Sequence, residues 1–273
     1  MKFLPLIFGL ALLACNRQKS IVVQHESGVH VIDSFYMPQL ERYRNIWVYL
    51  PPDYQTSRKQ YPVLYMHDGQ NLFEDSTSFI GEWRIDETLD SFYQQGDYGC
   101  MVIGIENDGK HRMDEYMPHV HPKYGGGEGD LYIRFIIESL KPYVDSVYRT
   151  KPEAVFTGIG GSSLGGLISY YGAMNHPGVF GKTLVMSPSF WVDSDYVNWL
   201  AGGQYPTSYL VAGLHEGEGD VKAKIDSLHS IWNRHQYSDY IIRYPEDGEH
   251  SEWFWAREFG PGYQYLFSDL TNE

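Results

Sequence analysis

The segment Gly161-Ser162-Ser163-Leu164-Gly165 constrains the fold of this chain most strongly, because it has the G-x-S-x-G pattern of a nucleophile elbow. An elbow holds its serine on a strained turn between a strand and a helix, and glycines beside it keep side chains clear of the backbone. Only the frame centred on Ser163 has glycine at both outer positions. The preceding apolar run Ala154–Thr157 predicts the strand, and Leu164–Met174 predicts the helix. Ser163 is therefore the candidate nucleophile.

Residues 1–15 predict an export signal and not a part of the fold. Lys2 precedes an apolar run, Phe3–Leu13, which is too short to span a bilayer as a stable helix. Cys15 follows a small residue, as at the cleavage point of a bacterial lipoprotein, where the cysteine is lipidated and becomes the mature N-terminus. The alternative is a plain secretory signal with an incidental cysteine. The sequence thus predicts an exported bacterial lipoprotein, and Asn16 favours anchoring in the outer membrane.

Charge and cysteine content exclude several classes of partner and site. The formal net charge is −14 and no basic run is present, which argues against nucleic acid as a partner. Cys15 and Cys100 are the two cysteines, so lipidation of Cys15 would leave no disulfide within the mature chain. Cys100 begins an apolar run that is typical of a buried strand, and its thiol is expected to be inert.

From residue 61 onward, predicted strands alternate with predicted helices. The strands are Val63–Met66, Met101–Ile105, Ala154–Thr157, Thr183–Met186, Ser208–Val211 and Tyr240–Tyr244, and the helices are Asp86–Tyr93, Leu131–Val147, Leu164–Met174, Val221–Trp232 and Trp253–Phe267. This alternation predicts an α/β fold with a mostly parallel sheet. The earlier runs Ile21–Val23, Val29–Tyr36 and Asn45–Leu50 would add antiparallel strands at one edge. We expect a single domain over residues 21–273, joined to the lipid anchor by a tether at residues 16–20.

A serine is a poor nucleophile unless an oriented base takes its proton. His250 is the candidate base, because it follows the last predicted strand and a polar turn, whereas two other histidines beyond Ser163 lie on or just past a predicted helix. The orienting acid is expected in the loop after the strand that ends near Val211. Glu216 is the first choice because it is nearest to that strand, and Glu218 and Asp220 are the alternatives.

The oxyanion of an acyl-transfer reaction needs two backbone N–H donors. Leu164, directly after the nucleophile, is the first candidate. The loop after the first parallel strand should supply the second, and Gln70 is favoured over Gly69. His67 and Asp68 in the same loop could be interpreted as a metal pair, but loop-shaping hydrogen bonds are favoured, and both are also candidates for contact with substrate.

A metal site would have to come from the segment that carries His111, Asp114, Glu115, His119 and His121. His119 and His121 could chelate zinc if they lay in a strand. Prolines flank this pair and no third ligand is obvious, so we expect neither a metal nor another cofactor.

With these residues placed, the chain resembles the putative-esterase family of α/β-hydrolases, which includes esterase D, feruloyl and acetylxylan esterases and trilactone siderophore esterases. The resemblance runs from about residue 40 to the C-terminus and is carried by Arg44–Pro51, Tyr65–Phe73, Gly160–Gly166, Ser187–Trp191 and the Gly248–His250 loop before Trp253. It implies an α/β-hydrolase fold with helices on both faces of the sheet. It also implies that Ser163, His250 and Glu216 are nucleophile, base and acid, although feruloyl esterases of this family often carry Asp at the acid position.

The resemblance implies a serine carboxylic ester hydrolase that works through an acyl-enzyme. Feruloyl or acetyl esters of polysaccharides are the expected substrates, and the expected partner is a small ester or an acylated carbohydrate. The alternatives are a trilactone siderophore esterase and a non-catalytic binding module, and acyl transfer to a sugar would use the same residues. Arg112 and Glu115 match a family segment near the cleft, where they would contact substrate or support the structure. Trp191 is a further candidate for substrate binding, and contact with a membrane is expected only through Cys15.

Overall fold

The computed structural model describes residues 28–199, 204–217 and 220–268. The predicted signal, the lipidated Cys15, the tether and the strand Ile21–Val23 lie outside the described residues and stay predictions. No helix in the described part of the chain is both long and apolar enough to cross a membrane.

The centre of the molecule is a sheet of eight strands in the order β1-β2-β4-β3-β5-β6-β7-β8. The strands are β1 (Gly28–Met37), β2 (Arg42–Leu50), β3 (Val63–His67), β4 (Met101–Ile105), β5 (Thr157–Ser162), β6 (Lys182–Met186), β7 (Thr207–Val211) and β8 (Tyr240–Arg243). β2 pairs antiparallel with both β1 and β4, and every other pairing is parallel. The prediction of a mostly parallel sheet with antiparallel strands at its N-terminal edge is confirmed.

Helices cover both faces of this sheet. They are α1 (Ile85–Gln94), α2 (Arg112–Tyr116), α3 (Gly129–Phe135), α4 (Lys141–Val147), α5 (Leu164–Asn175), α6 (Val221–Arg234) and α7 (Glu252–Phe267). Side chains alternate between faces along a strand. Accordingly, Val63 and Tyr65 of β3 belong to the apolar cluster that includes residues of α3, α5 and α6, whereas Leu64 and Met66 belong to the cluster that includes residues of α1 and α7. The two apolar clusters give the α/β layering that the sequence predicts.

The strand before the elbow lies later than predicted. Ala154–Phe156 forms a single 3-10 turn, and β5 begins only at Thr157. β5 is rich in glycine, which is depleted in strands, so the apolar pattern pointed to the preceding residues instead. A Cβ at Gly160 would lie 2.9 Å from both Leu184 and Met66, so a side chain there would not fit between β6 and β3.

The predicted helix Leu131–Val147 is interrupted. α3 and α4 are joined by one wider turn of π-helix at Ile136–Leu140. Pro142 is the second residue of α4, and a proline has no N–H to donate to the preceding turn of a helix. The wider turn lies directly before α4, where this donor is missing.

Candidate active site

The elbow is built from β5, Ser163 and α5. Ser163 has φ 57° and ψ −121°, an uncommon conformation for a residue with a side chain. Its N–H donates to the carbonyl of Met186 at 2.9 Å, and its own carbonyl accepts from the N–H of Ser189 at 3.0 Å. A Cβ at Gly161 would lie 3.1 Å from the backbone of Gly165, so the two outer glycines let the turn close tightly.

The structure brings the predicted nucleophile, base and first-choice acid together. Nε2 of His250 lies 3.1 Å from Oγ of Ser163. Nδ1 of the same ring lies 3.3 Å from Oε2 of Glu216. The Glu216 side chain is 4% exposed and that of His250 is 38% exposed, so the acid is buried while the base faces the cleft. The three side chains form one continuous path of hydrogen bonds.

Of the two alternative acids, the structure describes only Asp220, which takes a different role. Asp220 is the N-cap of α6, where its side chain accepts from the N–H of Ala223. Glu218 lies outside the described residues.

Glu216 is held by groups that sequence reasoning missed. Its Oε1 accepts from the N–H of Gly213 at 2.6 Å and from the hydroxyl of Ser187. The Ser187 hydroxyl in turn accepts from Nε1 of Trp255 at 2.8 Å, and the Trp255 ring stands edge-on to His250 with centroids 4.9 Å apart. Ser187 directly follows β6, and the carboxyl ends of neighbouring parallel strands meet at one edge of the sheet. The position of Ser187 directly after a predicted strand was therefore the sequence feature that could have placed it in the site.

The loops that carry Glu216 and His250 pack backbone against backbone. The N–H of His215 donates to the carbonyl of Gly248 at 3.0 Å. A Cβ at Gly213 would lie 2.1 Å from the carbonyl carbon of Gly248, and one at Gly248 would lie 2.5 Å from Gly213. Neither position has room for a side chain, and this close approach sets the separation of acid and base.

The predicted oxyanion donors lie beside Ser163. Leu164 is the first residue of α5, so its N–H has no acceptor one turn earlier within the helix. Gln70 lies in a single 3-10 turn, Gly69–Asn71, after β3, and it lines the same cavity as Ser163. Gly69 serves packing, because a Cβ there would lie 2.5 Å from the carbonyl carbon of Gly104 in β4.

Asp68 and Arg112 fix the loop that carries Gln70. Arg112 donates to both carboxylate oxygens of Asp68 at 2.8 Å. Asn107 donates its side-chain amide to Asp68 at 2.6 Å, and its backbone N–H donates to Oε1 of Gln70 at 3.2 Å. Burial alone would raise the pKa of Asp68, but the Arg112 guanidinium beside it lowers that pKa below its usual range. The pair is therefore a stable ion pair that also lines the cleft.

Two residues expected near substrate lie beneath the site instead. His67 is 1% exposed, its Nδ1 lies 2.9 Å from the hydroxyl of Tyr132, and it lines neither cavity at Ser163. Burial lowers the pKa of His67 to about 3, so the ring is neutral. Glu115 is fully buried between Arg42 and Arg44. His67 is therefore not placed to contact substrate, contrary to the prediction. Of the two roles predicted for Glu115, its burial between two arginines favours the structural one.

Two cavities meet at Ser163. The larger, of about 730 Å³, is lined by His250, Glu216, His215, Ser189, Tyr124 and Trp191. The smaller, of about 320 Å³, is lined by Gln70, Asp68, Arg112, Glu252, Phe79 and Trp255, among others. Trp191 is 44% exposed, and its ring is perpendicular to that of Tyr124 at 5.4 Å. The hydroxyl of Ser189 lies 3.2 Å from that of Ser163.

His119 and His121, the two histidines considered as zinc ligands, make different hydrogen bonds. Nδ1 of His119 lies 2.8 Å from Asp193, and these two with Asp195 bring one ligand atom each within 4.8 Å. Nδ1 of His121 instead accepts from the backbone N–H of Lys123 at 3.1 Å. His121 is not among the residues of the His119 group.

Comparison with known proteins places this site in a family. The model of the family described as "Putative esterase" matches residues 38–254. An uncharacterised protein of Bacillus subtilis, YbbA, is 32% identical over 158 residues, which cover 55% of this chain and 59% of that protein. The siderophore triacetylfusarinine C esterase of Aspergillus fumigatus is 30% identical over 152 residues, which cover 52% of this chain and 49% of that enzyme. The chain thus spans between about half and three fifths of these two relatives.

Solved structures show the same fold at low identity. The enterobactin esterase FES from Shigella flexneri superposes with a TM-score of 0.72 and 19% identity, covering 90% of this chain and 61% of that one. A ferulic acid esterase superposes with a TM-score of 0.69 and 16% identity, covering 88% of this chain and 99% of that one. These likenesses confirm the α/β-hydrolase fold.

Proposed function

This chain belongs to the putative esterase family, and we propose that it is a serine carboxylic ester hydrolase that works through an acyl-enzyme. Oγ of Ser163 attacks the ester carbonyl while Nε2 of His250 takes its proton. The tetrahedral intermediate collapses, the bond to the alcohol oxygen breaks, and His250 gives its proton to that oxygen. Water, deprotonated by His250, then attacks the acyl-enzyme, and the acid is released with Ser163 reprotonated.

Glu216 and two backbone N–H groups complete this mechanism. A buried carboxylate at Nδ1 keeps Nε2 free to accept a proton and stabilises the imidazolium that forms. Gly213 and Ser187 hold the carboxylate in that position. The N–H groups of Leu164 and Gln70 would stabilise the negative carbonyl oxygen in the intermediate.

The observation that carries this proposal is the hydrogen-bonded path from Ser163 through His250 to Glu216, at 3.1 and 3.3 Å. A non-catalytic binding module has no need for a strained serine, an oriented imidazole and a buried carboxylate in this arrangement. The likeness to esterases supports the same conclusion independently.

Feruloyl or acetyl esters of polysaccharides are the substrates we favour. The larger cavity supports this choice, because Trp191 and Tyr124 offer ring faces and edges on which a sugar can pack. The second candidate is a trilactone siderophore, which is favoured by the relative in Aspergillus fumigatus that is named a siderophore esterase. We also propose that the protein is exported and anchored through Cys15.

Hydrolysis of p-nitrophenyl acetate and methyl ferulate tests the proposal. We expect the purified protein to hydrolyse at least one of the two, and Ser163→Ala and His250→Ala to lower kcat by about 10³-fold or more. Ser227→Ala on the exposed side of α6 and His235→Ala at the exposed residue just past its end are matched controls that should keep full activity. Full activity in Ser163→Ala, with circular dichroism unchanged, would exclude the mechanism.

A further inference from the structure

The position of His250 orients an ester across the two cavities. The alcohol oxygen must receive its proton from Nε2 of His250, so the leaving alcohol has to lie on the side of Ser163 that faces this ring. His250 lines the larger cavity and is not among the residues that line the smaller one. The alcohol part of the substrate therefore occupies the larger cavity, and the acyl part extends into the smaller one.

The smaller cavity has a polar wall that an acetyl group would leave unused. Its volume of about 320 Å³ is at the lower end of the range of small-molecule sites. Phe79 and Trp255 supply apolar surface, but Asp68, Arg112 and Glu252 bring three ionisable groups to the same space. Arg112 and Glu252 are half-buried, so polar atoms that they do not use within the chain are open to a ligand in the cavity.

Two atoms on this wall are unpaired among the described residues. Arg112 uses Nε and Nη2 on Asp68, which leaves Nη1 without a hydrogen-bond partner in the described chain. Glu252 accepts from Nε1 of Trp83 through Oε2, and Oε1 has no partner within those same residues. Burial raises the pKa of Glu252. Arg112 and Glu252 thus offer the cavity a donor and an acceptor, respectively.

We propose that the smaller cavity binds a hydroxyl group on the acyl part of the substrate, with Glu252 and Arg112 as the residues that select it. A hydroxyl donates to Oε1 of Glu252 and accepts from Nη1 of Arg112, so it satisfies both atoms. A carboxylate would only accept and would be repelled by Glu252. An ammonium would only donate and would face the Arg112 guanidinium. This inference rests on the proposed function, since it needs an acyl-enzyme at Ser163.

Two pairs of esters that differ by one hydroxyl test the inference. They are methyl 4-hydroxycinnamate against methyl cinnamate, and methyl 3-hydroxybutanoate against methyl butanoate. We expect kcat/KM of the purified full chain to favour the hydroxylated ester of at least one pair by about tenfold, as one hydrogen bond to a charged group would give. Glu252→Ala should bring that ratio to near one. Glu252→Gln keeps an acceptor for Trp83 and should lower the ratio several-fold, which decides the point if the alanine variant does not fold.

The controls separate this inference from the proposed function. Glu246→Gln, an exposed acid in the turn after β8, should keep the wild-type ratio. If p-nitrophenyl acetate and all four esters are left intact, the proposed function fails and this inference fails with it. If acetate is hydrolysed but neither pair shows a preference, or Glu252→Ala keeps the preference, only the hydroxyl site is overturned.

Discussion

At the scale of single residues, Ser187 is fully buried and lines neither cavity at Ser163, but its hydroxyl donates to the acid of the site. Ser187 has a left-handed backbone, with φ 44°, directly after β6. This turn aims its hydroxyl at Glu216 and places it within reach of Trp255 on α7. Ser187 is thus a positioning residue that ties the acid to the helix after the His250 loop.

Ser187→Ala should lower kcat about tenfold with little change in KM. The variant leaves Trp255 Nε1 without its acceptor and Glu216 with one donor fewer, and a lost hydrogen bond to a charged group costs roughly 1.5–3 kcal/mol. Steady-state kinetics on p-nitrophenyl acetate would measure the change. Ser208→Ala is the matched control, because it removes a buried hydroxyl at the opposite end of β7. An equal loss of kcat in both variants would indicate that Ser187 only stabilises the fold and does not position Glu216.

The sequence predicted the site residues that follow strands in a fixed chain order. It did not predict the residues whose roles depend on contacts between distant parts of the chain. Ser163, His250 and Glu216 each follow a predicted strand, and the structure brings them together. Ser187 and Glu252 are distant from their partners along the chain. Glu252 meets Trp83 across 169 residues, and no local pattern encodes such a contact.

At the scale of elements, two glycines set the distance between the loops after β7 and β8. Gly213 and Gly248 approach so closely that the loops share hydrogen bonds, and each loop carries one member of the acid–base pair. The sequence predicted both loops, but not that they touch. β5 was also predicted at the wrong residues. Its glycines fit between the neighbouring strands, but they do not give the apolar pattern from which strands are predicted.

Gly248→Ala should lower kcat at least tenfold, because a Cβ 2.5 Å from Gly213 must push the two loops apart and lengthen the contact between His250 and Glu216. Kinetics with p-nitrophenyl acetate would measure the change, alongside thermal unfolding to monitor the fold. Gly178→Ala is the control, since no atom lies within 4 Å of its added Cβ. Unchanged kcat in Gly248→Ala would show that the loop contact does not set the geometry.

At the scale of the whole molecule, the family and the α/β-hydrolase fold were predictable from the sequence, and both predictions are confirmed. The alternation of strands and helices and the elbow were sufficient for this. The pH dependence of stability was less predictable, because it depends on which ionisable groups are buried beneath the elbow. His67 is one such group, and its neutral ring links folding to pH.

Acidification should destabilise the protein through His67. An unfolded histidine has a pKa of 6.5, whereas burial lowers that of His67 to about 3. Between these values the unfolded state binds a proton that the folded state does not, so the free energy of unfolding falls as the pH falls. This contribution is about 2 kcal/mol between pH 6.5 and pH 5.

Urea unfolding at pH 7, 6 and 5 would measure the effect. The free energy of unfolding of His67→Gln should decline less with acid than that of the wild type, by about 2 kcal/mol at pH 5. His235→Gln, which replaces an exposed histidine, should follow the wild type. Parallel curves for wild type and His67→Gln would contradict a neutral His67 in the folded state.

Covalent labelling would identify the nucleophile. The purified protein is treated with an organophosphate ester, such as diethyl p-nitrophenyl phosphate, and the modified peptide is identified by mass spectrometry. We expect one phosphorylated residue, Ser163, with no label in Ser163→Ala and slow labelling in His250→Ala. The neighbouring hydroxyls of Ser162 and Ser189 are internal controls in the same digest. No label at all, or a label on Ser162 or Ser189, would exclude Ser163 as the nucleophile.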